Sequence, residues 1–117
     1  MKTVADFLDG KSAITLALFE HFVAQYRQIG ALTLCPTKTM IGLASPRVRV
    51  AYVTQFGRNF IHVVFPFPKA YPDNLCFQKI AQVPGQQQFN HHFRMYAPED
   101  VNEEVLQFMR LAYERGC

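Results

Sequence analysis

RVRVAYVTQFGRNFIHVVF, residues Arg47–Phe65, is the stretch whose reading decides the fold. Arg47 to Gln55 is rich in Val and Tyr, which suit a pleated, half-buried surface. Gly57-Arg58-Asn59 has the composition of a hairpin connection. Phe60 to Phe65 is an almost unbroken apolar strand that stops at Pro66 and Pro68. Strands joined by so short a turn pair antiparallel, because a parallel pair needs a long crossover.

Upstream, the strand-like period reaches back to about Leu32. Leu32-Thr33-Leu34-Cys35 is short and ends at Pro36. Thr39, Ile41 and Leu43 then alternate with Lys38, Met40 and Gly42, up to a turn at Ser45-Pro46. Downstream, the Pro68-to-Asn74 segment is a loop by composition. Leu75 to Val83 and Gln88 to Tyr96 flank Pro84-Gly85, a strong turn signal, and should pair as a hairpin.

Helical periods enclose this region. Thr3 and Asp6 form a capping arrangement for a short first helix, with Gly10 as a left-handed stop. Ser12 caps a longer helix to Ile29, terminated by Gly30; Leu18, Phe19, Phe22, Val23, Tyr26 and Ile29 make one apolar stripe along it. Pro98 suits the first turn of a final helix reaching Arg115, and Val101, Val105, Phe108, Met109, Ala112 and Tyr113 form its apolar face. These periods predict one α+β domain over residues 1–117. Its mostly antiparallel meander sheet has four to six strands, with N-terminal and C-terminal helices packed on one face.

The chain has 117 residues, half of them hydrophobic, with 11 Phe and no Trp. That suffices for one packed core and is far from a disordered composition. The formal charge of +3 permits an anionic partner, but Lys and Arg are scattered and not striped as in dedicated nucleic-acid binders. Cys35, Cys76 and Cys117 give an odd count with no CxxC pair, which points to reduced thiols in the cytoplasm. Cys35 and Cys76 read as small strand residues. No signal-peptide pattern and no span of about 20 apolar residues is present, so no membrane association is expected.

Thr3-Val4-Ala5-Asp6-Phe7-Leu8, Pro36-Thr37-Lys38-Thr39, and Ala97-Pro98-Glu99-Asp100-Val101 followed by Leu111-Ala112-Tyr113 resemble a bacterial family of uncharacterised domains. That family is often labelled "predicted transport protein", and its members occur alone or attached to endonuclease-like regions. The likeness runs over nearly the whole chain. It departs at Ala97, where the family tends to carry a capping Ser. It departs again where an Arg/Gly-rich stretch is reduced to Pro46-Arg47-Val48-Arg49. The resemblance implies terminal helices around a sheet, and no settled activity.

Candidate chemistry is sparse. His91 and His92 are adjacent, so on a strand they face opposite ways and do not share a metal ion without a bulge. His62 lies between apolar neighbours and reads as a core histidine. No GxSxG elbow, cysteine-protease surround or Gly-rich phosphate loop occurs, so no catalytic residue, cofactor or metal site is assigned. What remains is basic. If the helices cover the Thr39/Ile41/Leu43 face, then Lys38, Arg49, His92 and Arg94 are placed to converge on the opposite, open face as an anion-accepting patch. The expected function is a small binding domain for an anionic ligand or a protein partner. A nucleic-acid-associated accessory domain and a small enzyme with an unrecognised site are the alternatives.

Overall fold

The computed structural model describes residues 2–115. Its elements are α1 (Val4–Leu8), α2 (Ala13–Ile29), β1 (Thr33–Pro36), β2 (Ile41–Ala44), β3 (Arg49–Phe56), β4 (Ile61–Phe67), β5 (Lys79–Gln82), β6 (Phe89–Met95), a 3-10 turn (Pro98–Asp100) and α3 (Glu103–Arg115). The expected α+β architecture is present. Six antiparallel strands form one open sheet in the order β1-β2-β3-β4-β6-β5. The first four strands make a meander. The last hairpin enters reversed, so β6 lies beside β4 and β5 becomes an edge.

Caps and turns are set where the sequence places them. Thr3 and Asp6 exchange backbone-to-side-chain bonds at 2.8 and 3.2 Å, and Gly10 and Gly85 carry φ of 74° and 75°. Ser12 Oγ accepts from Thr15 N–H at 3.1 Å to open α2. Gly30 closes α2 in an extended conformation. A side chain there would run into the Tyr113 ring of α3.

Alternation along the strands sorts their residues onto two faces. Ile41, Leu43, Ala51, Val53, Ile61, Val63, Phe65, Phe67, His91, Phe93 and Met95 are buried on the helix side. They pack with Leu18, Phe22 and Tyr26 of α2 and with Val105, Phe108 and Met109 of α3. Tyr26 Oη donates to Met109 C=O at 2.9 Å, tying the two helices together.

Four local expectations need correction. Lys38 and Thr39 lie in the bend between β1 and β2, where Thr37 bonds with Met40 across the turn, and not in a strand. Cys76 lies in the loop before β5, because the ladder with β6 begins only at Lys79. Pro66 does not end β4. It pairs with Asn90 beyond the last β3 partner, where β4 has a neighbour on one side only and the missing N–H is tolerated. Pro98 opens a 3-10 turn, in which Asp100 Oδ2 accepts from Tyr96 and Ala97 N–H at 2.7 and 3.0 Å; α3 restarts after Asn102, whose Oδ1 caps Val105 N–H. Cys35 and Cys76 carry free thiols; Cys117 lies outside the described residues.

Candidate functional site

The face away from the helices is crossed by one row of paired residues, Lys79–His92–Val64–Tyr52–Gly42–Cys35. A β-bulge between Val53 and Gln55 adds a residue to β3, and Thr54 shares the face of Tyr52, two residues before it. Together with Met40, Val64, Gln88, Asn90 and His92 they line an open concavity of about 440 Å³.

His62 belongs to this outer face, not to the core. Ile61, Val63 and Phe65 point inward, so period two sends His62 out, next to Arg94 on β6. Arg94 Nε–H donates to His62 Nδ1 at 3.1 Å, and His62 Nε2 lies 2.8 Å from His92 Nδ1. Arg has no acceptor, so His62 Nδ1 must be bare and its proton must sit on Nε2. His62 Nε2–H then donates to His92 Nδ1, which in turn leaves the neutral His92 with its proton on Nε2. Hydrogen bonds thus run in one direction, Arg94 to His62 to His92, and end in a donor on a residue that lines the concavity.

The electrostatics support neutral rings. Burial, then the neighbouring His92 and Arg94, hold His62 below the ordinary histidine value; burial, Lys79 and His91 do the same for His92. The guanidinium of Arg94 also rests over the Phe60 ring at 4.3 Å, which fixes its plane. This donor order opposes a metal shared by the two rings. A ligating Nε2 ordinarily has an Nδ1–H donating outward, whereas His62 Nδ1 accepts. Among the described residues no three His, Cys, Asp or Glu side chains are grouped to hold an ion.

His91 has the opposite setting. It is fully buried; Nδ1–H donates to Phe89 C=O at 2.8 Å and Nε2 accepts from Tyr71 N–H at 3.1 Å. Phe67, Tyr71 and Phe77 surround the ring. Burial depresses its pKa, against the backbone bonds that raise it.

Of the four residues expected to converge, His92 lines the concavity and Arg94 joins it through His62. Arg49 lies on the same face but over Gly42, where a Cβ would stand 3.3 Å from its Cδ; the missing side chain makes room for it. Lys38 is exposed in the β1–β2 turn, two residues before Met40. The structure therefore brings His92 and Arg94 together through His62, and leaves Arg49 and Lys38 at other points of the sheet. His62, Asn90 and Lys79 were missed as site residues. The alternation Ile61/Val63/Phe65 carried the signal for His62, whereas Lys79 becomes visible only through its pairing with His92.

No helix among the described residues is long and apolar enough to cross a membrane. No curated protein and no solved structure matches the chain. A family model does match, over residues 4–116. The chain accordingly belongs to the family described as Domain of unknown function (DUF5655).

Proposed function

We propose that this protein is a small binding domain that recognises an anionic ligand, or an acidic group of a protein partner, on the open face of its sheet. The observation carrying this reading is the one-way chain from Arg94 through His62 to His92, a residue lining the concavity, whose remaining donor meets no acceptor among the described residues. An N–H held this way favours an incoming acceptor oxygen or nitrogen, and the Arg94 charge behind it strengthens the donor. Lys79 beside His92, and Arg49 and Lys38 further along the sheet, add positive potential that draws an anion to the face. A cytoplasmic location goes with this reading through the unpaired cysteines, and a transport-related role, which the bacterial resemblance carries, would here take the form of holding a small ligand.

The test is a titration of isotope-labelled protein with inorganic phosphate and with acetate. Saturable shifts at Tyr52, Asn90 and His92 are expected, weakened severalfold by Arg94→Ala with little change in melting temperature. Equal binding by Arg94→Ala, or shifts confined to the helix side, would contradict the proposal. A steep loss with salt across oligonucleotides would favour the nucleic-acid alternative instead.

A further inference from the structure

The lining of the concavity and the placement of charge around it define the ligand more narrowly. All seven lining residues are uncharged: a thioether, a phenol, a hydroxyl, an aliphatic, two amides and an imidazole held neutral. The cations stand outside the lining, among them Lys79, across from His92 in the register of β5 and β6. A ligand seated here therefore brings a neutral part inward and keeps its negative charge at the His92 edge, where Lys79 and, through His62, Arg94 favour it.

The inward part has a defined edge. Gln88 Nε2–H donates to Asn90 Oδ1 at 3.0 Å, which leaves the Asn90 side-chain amide hydrogens and Gln88 Oε1 without a partner among the described residues. With the His92 donor, Gln88, Asn90 and His92 offer donors and one acceptor along one face of the chain entering and forming β6. Beside them on the same sheet face, Val64, Tyr52 and Met40 add an aliphatic side chain, an aromatic ring and a polarizable sulfur, the last two good partners for a π-face. A volume of about 440 Å³ is in the small-ligand range.

We infer that the ligand inserts a planar heterocycle carrying ring acceptors and a donor against Tyr52, reads it with His92, Asn90 and Gln88, and leaves a phosphate-type group on Lys79: the chemistry of a mononucleotide. This rests on the binding role proposed above for the same face. The closing experiment compares UMP, AMP, uridine, ribose phosphate and inorganic phosphate by calorimetry and by chemical shifts of the wild-type protein. The nucleotides should bind about tenfold or more tighter than uridine or ribose phosphate, since each lacks one of the two anchors. Lys79→Ala should bring UMP down to the level of uridine. Tyr52→Leu, which keeps an apolar residue in the strand, should bring UMP down to ribose phosphate while leaving inorganic phosphate unchanged. Ribose phosphate binding as tightly as both nucleotides would overturn the heterocycle inference and leave the anion-binding role standing. No shift at Tyr52, Asn90 or His92 with any probe would overturn both.

Discussion

His91 and His92 are neighbours on one strand with opposite fates. His91 points into the helix side, where both ring nitrogens are satisfied by backbone groups and three aromatic rings enclose it. His92 points outward, accepts one bond from His62, and keeps a donor for something else. One position is closed by the protein and holds the loop before β5 through Tyr71; the other is held in place and left open. A polar residue whose bonds are all made is part of the fold, while the proposed binding role rests on one whose tautomer is fixed and whose last donor meets no acceptor among the described residues.

The largest expected effect tests the closed side. His91→Leu strands the Tyr71 amide and the Phe89 carbonyl, and should lower unfolding free energy by about 1–3 kcal/mol in denaturant titrations. His92→Leu, removing a half-buried ring with solvent nearby, should cost only about 0.5–1.5 kcal/mol. Equal losses at the two positions would break the comparison.

Acid should destabilise the fold. His62, His91 and His92 are all held below the ordinary histidine value in the folded protein. As pH falls below about 6.5, the unfolded chain takes up protons first. Their contribution is thus complete above that value and is lost as pH falls through the folded values. Protonation of His92 would also place a hydrogen on Nδ1 facing the His62 Nε2–H. Denaturant midpoints measured from pH 8 downward should decline below about 6.5, and His91→Leu should flatten the decline.

Arg94→Ala should cost about 0.5–1 kcal/mol, the scale of an exposed cation–π contact. It should nevertheless release the His62 tautomer, so a small stability change accompanies a large change in the ring spectra. Lys38→Ala, in an exposed turn with no side-chain bond to the sheet, is the smallest effect, within about 0.5 kcal/mol. Loss of ligand shifts in that variant would return Lys38 to the site.

Local chemistry in the sequence carries most of the architecture, because caps, stripes and turns act over a few residues. Ser12, Gly10 and Pro84-Gly85 each act where expected. The insertion of β6 between β4 and β5 is not local: a Pro-Gly turn specifies that two strands pair, not which of them meets the older sheet. Pro66 misleads for the same reason, since its cost depends on whether β3 extends alongside it. At the site, His92 and Arg94 were legible from alternation on one strand. His62 was hidden by its apolar neighbours, although the alternation that buries Ile61 and Val63 exposes it. Lys79 needed the register, and Lys38 was misplaced because a strand-like alternation ran on into a turn held by Thr37.

The direction of the Arg94–His62–His92 chain is the central claim, and it can be measured without any ligand. Long-range nitrogen–proton spectra of the histidine rings at pH 8 report which nitrogen carries the proton. The structure predicts His62 and His92 protonated on Nε2 and His91 on Nδ1, with Arg94→Ala disturbing His62 and sparing His91. A His92 ring protonated on Nδ1, or His62 unchanged by the loss of Arg94, would contradict it.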